Sequence, residues 1–231
     1  FAALQTERQI KKTAYLILEQ GGVPLNEFVR DNIENLTARD FYSITLQLLN
    51  GLSYMHKKGI YHLDIKPENI LVNANFANDN HSIRVKIIDF GISLETTTHV
   101  TQSADYYTVL TGTQIWNETS FFDYPIEEYK DFNIFSKKDS YNASLSILNT
   151  LFAEKYEIDK QERFEKNHYS PDFWITMAGE EEDEEIDAVV RKFKTDSLWH
   201  LYETLRAMIV YLPNYRLSPK DALRKLRPVW T

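Results

Sequence analysis

The sequence predicts a mainly α-helical fold carrying small β-hairpins, and three observations predict it. Apolar residues recur at helical spacing at Phe41, Ile44, Leu48, Leu52 and Met55, again at Tyr141, Leu145, Leu148 and Leu151, and again at Leu198, Leu201, Leu205 and Met208. Only short β-branched runs stand between them, Ile70-Leu71-Val72 and Ile83 to Ile88. With 231 residues, 43% of them hydrophobic and 13% aromatic, the chain has material for one large core or two small ones.

Taken in order, Thr13 to Glu19 reads as a buried strand that ends at the Gly21-Gly22 bend. Pro24 to Val29 reads as a short helix start, with Pro in the first turn. The helix from Thr37 or Ala38 to Lys58 has a broad apolar face, and Gly59 is placed to end it. Ile70-Leu71-Val72 and Ile83–Ile88 form a hairpin whose Asn-rich link, Asn73 to Ser82, lies on the surface. Ser93 to Tyr107, rich in Thr, Ser and Tyr, reads as a loop, and Phe121 to Phe135 shows no clean period. Asp139 to Phe152 is a second apolar helix, capped by Ser136 or Asp139. The acidic run Gly179 to Glu185 reads as a solvated edge. Asp196 to Tyr211 is amphipathic and Pro213 stops it; Ser218-Pro219 opens a last helix that Pro228 ends.

The formal net charge is −8, so no basic surplus points to nucleic acid or an anionic membrane as the main partner. The chain has no cysteine, hence no disulfide and no thiolate metal site, which fits a reducing compartment. No apolar run is long enough to span a bilayer, and no signal-peptide pattern is present. We expect an intracellular protein, in cytoplasm or nucleus. The first residue is Phe1 rather than Met, which fits a piece of a longer chain.

The chemistry concentrates in Tyr61-His62-Leu63-Asp64-Ile65-Lys66-Pro67-Glu68-Asn69 and in Asp89-Phe90-Gly91 at the end of a β-branched run. Asp64 can accept a proton, Lys66 can neutralise developing negative charge, and Asn69 can offer a carbonyl oxygen to a metal. An Asp delivered into a Gly turn presents a second metal ligand. The combination points to metal-assisted phosphoryl transfer, which needs positioning and charge neutralisation more than covalent chemistry.

Asp64-x-Lys66-x-x-Asn69 followed by Asp89-Phe90-Gly91 closely resembles the signatures of eukaryotic-type protein kinases. Other segments resemble that family in the same order, from about Tyr15 to Trp230. The resemblance implies a protein kinase-like large C-terminal lobe with hinge. Residues 1–22 would hold the last small-lobe strands and the hinge, and residues 23–231 the large lobe, as a fragment of a bilobal kinase domain. It implies ATP and Mg²⁺ as cofactors and a protein hydroxyl as acceptor. Asp64 would be the base and Lys66 the γ-phosphate neutraliser, while Asn69 and Asp89 would hold the metal. Leu18 would be the gatekeeper, the Glu19 carbonyl and Gly21 amide would meet the adenine edge, and Leu71 would lie under the ring. Gly112 and Thr113 would open the substrate loop, and Lys66 with Thr113 resembles the Ser/Thr branch. His62, Phe90, Asp139 and Arg216 would be structural. By that resemblance His62 would pack on Phe90, Asp139 would open the central helix and bond the catalytic-loop backbone, and Arg216 would sit in the closing segment.

Four departures from the family pattern stand out. Leu63 replaces the usual Arg, so the Arg–phosphate switch of the activation loop is unavailable (a non-Arg-Asp kinase). Glu118-Thr119-Ser120 replaces Ala-Pro-Glu, so Arg216 needs a substitute partner such as Glu118 or a residue of Glu127-Glu128. The loop after Val72 and the aromatic stretch before Asp139 are long. No Gly-rich loop is present, and Lys11 and Lys12 are not placed to replace the small-lobe Lys. The expected function is that of a protein serine/threonine kinase, with the small lobe of the same kinase upstream and this chain alone nearly inactive. The alternative is a pseudokinase serving as a binding or scaffold domain, which Leu63 and the missing Ala-Pro-Glu favour and the intact Asp64, Lys66, Asn69 and Asp89 oppose.

Overall fold

The computed structural model describes residues 19–76, 82–95, 133–156, 174, 196–210 and 213–230. They form a mainly helical body with two small antiparallel sheets. β1 (Val23–Pro24) leads directly into α1 (Leu25–Asn32), which buries Leu25, Phe28 and Val29 at helical spacing. Pro24 is the N-cap of this helix rather than part of its first turn.

α2 (Ala38–Lys57) is the long helix of the sequence reading. Its start is fixed by a capping box: Asp40 N–H donates to Thr37 Oγ1 at 3.4 Å, and Thr37 N–H donates back to Asp40 Oδ2 at 2.8 Å. Its end is fixed by Gly59 at φ 75°, where a Cβ would be strained.

β2 (Ile60–Tyr61) follows, then a 3₁₀ turn at Pro67–Asn69, then the hairpin β3 (Ile70–Asn75) and β4 (Ser82–Ile87). The first sheet runs β1-β3-β4, with Val23 opposite Val72 and Leu71 opposite Lys86. β4 keeps an edge, and α2 covers it: Gln47 Nε2–H donates to the Ile83 carbonyl at 2.9 Å and Gln47 Oε1 accepts from Val85 N–H at 3.1 Å. One carboxamide thus replaces a missing strand and removes an open edge. The second sheet departs from the sequence reading. Leu94–Glu95 forms β5 and pairs with β2, so the segment read as a loop from Ser93 begins as a strand.

α3 (Asn133–Ile147) is the central helix. It begins six residues before Asp139, so neither Ser136 nor Asp139 caps it. Both are internal and buried, because the helix lies among other elements on all sides. A π turn at Leu148–Phe152 and an α turn at Ala153–Lys155 continue it. Rings of Phe41 and Phe152 meet at 5.7 Å, and His56 meets Asp139 at 2.8 Å, so α2 and α3 run antiparallel. Buried polar groups on α3 find backbone partners: Ser144 Oγ–H donates to the Leu205 carbonyl at 2.7 Å and Ser140 Oγ–H to the Leu217 carbonyl at 2.5 Å.

α4 spans Trp199–Arg206 and is shorter than the Asp196 to Tyr211 reading. Asp196 Oδ1 instead accepts from Leu198 N–H at 3.0 Å ahead of it, and Met208 and Ile209 reach the core from turns. α5 (Pro219–Trp230) starts at Ser218-Pro219 as expected, with Ser218 Oγ accepting from Asp221 N–H at 3.2 Å. It runs two residues past Pro228. A Pro in the last turn removes only one hydrogen bond and does not stop the chain there.

Candidate active site

The site grows from the turn between β2 and β3. Leu63 sits at φ 67° and is fully buried. A non-glycine residue in that region costs on the order of 1–3 kcal/mol and persists only when its surroundings fix it. Asp139 fixes it. Its Oδ1 accepts from Leu63 N–H at 2.7 Å and its Oδ2 from His62 N–H at 2.8 Å. The Asp139 Oδ2 also meets His56 Nε2 at 2.8 Å, and His56 Nδ1 meets Ser136 Oγ at 3.0 Å. The second turn of the central helix thereby clamps the loop that carries Asp64.

His62 is locked from both ring nitrogens. Nδ1 accepts from Asp64 N–H at 3.3 Å, so Nε2 carries the proton and donates to the Ile88 carbonyl at 2.9 Å. Its ring lies 5.1 Å from that of Phe90. Asp64 is buried to 9% exposure, with Lys66 Nζ 3.0 Å from Oδ2. Asn69 Nδ2–H donates to the Asp64 carbonyl at 2.9 Å and to Asp64 Oδ2 at 3.3 Å. Ile88 N–H donates to the Asn69 carbonyl at 3.0 Å, which draws Asp89 to the same place.

Asp89 adopts φ 63° and its Oδ1 accepts from Gly91 N–H at 3.3 Å. Phe90 is 50% exposed and Ile92 38%, in contrast to the buried loop beside them. The donor set fits magnesium, a hard cation that prefers oxygen. The carboxamide nitrogen of Asn69 is committed to Asp64, which turns Oδ1 away from it, and Asp89 supplies carboxylate oxygen. Among the described residues no cluster of three or more His, Cys, Asp or Glu side chains could hold a metal alone. Two protein donors leave room for phosphate oxygens and water.

Beside β3, a Cβ on Gly21 would come within 2.4 Å of Leu71 Cδ1, and one on Gly22, at φ 119°, within 2.2 Å of the Val72 carbonyl oxygen. Gly22 meets backbone at a positive φ, so only glycine fits there, whereas a larger residue at Gly21 would push the Leu71 side chain aside. Lys86 Nζ lies 2.8 Å from Glu19 Oε1 and, through that hydrogen bond, holds the Glu19 carboxyl below the usual range. Leu18, Gly112, Thr113 and the acidic run lie outside the described residues, as do Glu118 and Glu127-Glu128. Arg216 is buried, with its guanidinium 4.7 Å from the Tyr141 ring centroid and Nε–H donating to the Val210 carbonyl at 2.5 Å. Sequence reasoning missed His56 and read Ser136 only as a candidate helix cap, because a helix-end His and a Ser ahead of an apolar stretch give no local signal of a contact between them. It read Lys86 only as strand; strict alternation from Leu71 across the hairpin marks it.

Comparisons with known proteins agree with this geometry. The protein kinase domain profile matches residues 3–225. Mitogen-activated protein kinase 20 of Arabidopsis thaliana is 34% identical over 90 residues, 39% of this chain and 14% of that protein. The probable serine/threonine-protein kinase fhkE of Dictyostelium discoideum is 41% identical over 85 residues, 36% of this chain and 11% of that protein. The chain thus matches a small part of each relative's length. The crystal structure of the Rad53 kinase domain and SCD2 superposes with a TM-score of 0.54 at 17% identity, covering 89% of this chain and 60% of that one. It shows the fold. The match over nearly the whole chain makes this protein a member of the eukaryotic-type protein kinase family, with serine/threonine kinases as its relatives.

Proposed function

We propose that the protein transfers the γ-phosphate of ATP to a serine or threonine hydroxyl of a protein substrate, with Mg²⁺. The observation that carries the reading is the joined cluster of Asp64, Lys66 and Asn69 beside Asp89 on a loop clamped by Asp139. Asp64 orients the acceptor hydroxyl and takes its proton. Lys66, now paired with Asp64, is placed to turn toward a phosphate that arrives at the same point. Asn69 and Asp89 would hold the metal, which neutralises phosphate charge when bound. The Glu19 carbonyl and Gly21 amide receive the adenine edge over Leu71, and the kinase small lobe covers the exposed Phe90 and Ile92. Leu63 leaves the chemistry intact and removes the Arg–phosphate switch.

The experiment is Asp64→Asn in the full-length protein. Loss of a general base lowers transfer about 10²–10⁴-fold. Transfer at the wild-type rate contradicts the assignment and favours a binding role for the fold.

A further inference from the structure

We propose that Lys86 is a positioning residue for nucleotide binding: by pairing with the Glu19 side chain it holds the hinge peptide at the height of the adenine floor. This deepens the nucleotide reading of the same site and rests on it.

The argument begins with the sheet. Leu71 and Lys86 are cross-strand partners in β3 and β4, so their side chains share one face of the hairpin. The opposite face is turned to α2, where Ile83 is buried and Ile87 Cδ1 lies 3.1 Å from where a Cβ on Gly51 would stand. Lys86 therefore rises on the nucleotide side, beside the residue that underlies the base. Its ammonium meets Glu19 at 2.8 Å. Glu19 is the residue whose own carbonyl faces the adenine edge in the proposed function.

The hinge needs such a tether. Gly21 and Gly22 follow at once, and glycine gives the backbone the widest freedom of any residue. The two glycines press on Leu71 and Val72, which sets the hinge's distance from β3. They do not set its height along β4. Lys86 supplies that constraint through a side chain anchored on a hydrogen-bonded strand. Both side chains are solvated, Glu19 at 80% and Lys86 at 35% exposure, so the pair adds little to global stability and is screened by salt. Its effect falls on preorganisation of the hinge.

The test measures KM for ATP and kcat in the full-length protein at low salt. Lys86→Met raises KM about threefold to fivefold, the scale of an exposed ion pair, and leaves kcat within error. Glu19→Gln gives the same rise, the double variant adds nothing further, Lys86→Arg restores the wild-type KM, and half-molar salt erases the difference. An unchanged KM in Lys86→Met, or effects of the two substitutions that add, overturns the inference while leaving the kinase reading standing. A wild-type protein that neither binds nor hydrolyses ATP overturns both, so the two failures are told apart by the wild-type assay.

Discussion

The His62–Asn69 loop and the Asp89–Ile92 turn lie next to each other and are held in different ways. His62, Leu63, Asp64 and Ile65 are buried and wired to the central helix through Asp139. Asp89, Phe90, Gly91 and Ile92 are exposed and held by the Gly91–Asp89 side-chain bond, the Ser93–Phe90 backbone bond and the Phe90 ring against His62. Both contain a non-glycine residue at positive φ, Leu63 and Asp89. In the first the strain is fixed by a buried carboxylate, and in the second by a short turn. The first segment is thus built into the body of the chain, and in the proposed function it is the acceptor side, while the second segment is the less constrained of the two.

This contrast can be broken most severely at Asp139. Asp139→Ala leaves the buried N–H groups of His62 and Leu63 without acceptors, each costing about 1–3 kcal/mol. We expect a stability loss of about 2–5 kcal/mol by chemical denaturation and loss of transfer with it; a variant as stable as wild type would show that the clamp is idle. Next in size are the two apolar side chains. Leu63→Ala empties a fully buried position and should cost about 2–4 kcal/mol. Phe90→Ala, at a half-exposed ring, should cost about 1 kcal/mol or less. Equal losses would erase the distinction between the two segments.

The smallest effect is in acid and lies outside the site. Burial pushes the Asp196 carboxyl up, but the Tyr156 hydroxyl at 2.8 Å, Leu198 N–H, Ser197 and Lys155 outweigh it and hold the carboxyl below its ordinary value. A carboxyl depressed in the fold stabilises above its unfolded value, about 3.9. That contribution is lost as pH falls through the folded value. Asp196→Asn should therefore be less stable than wild type at neutral pH and approach it below about pH 4, as read in urea denaturation across pH. A constant gap down to pH 2 would contradict the linkage.

Periodicity made α2 legible to within a residue because one face is buried and both ends carry local signals, Thr37 and Gly59. It failed at α3. There the burial extends around the helix and the pattern carries no face, so by local signal Asp139 reads as a cap; the family resemblance gives its bond to the loop backbone, as found, but sets it at the helix start when it is internal. It failed again at α4, because Met208 and Ile209 are buried from turns that continue the apolar spacing without continuing the helix. That Asp64, Lys66 and Asn69 lie together with Asp89 nearby was legible because they are packed into two short motifs. His56, Ser136 and Lys86 were not, because their roles come from contacts across 83, 80 and 67 positions (His56–Asp139, Ser136–His56, Lys86–Glu19), which no local window contains.

Amide hydrogen exchange on the full-length protein, with and without ATP and Mg²⁺, tests the central claim most directly. The account predicts that His62 and Leu63 are strongly protected without nucleotide, and that Gly91 to Ser93 exchange fast until nucleotide is added. Exchange at His62 and Leu63 as fast as at Gly91, slowed only by nucleotide, would contradict it.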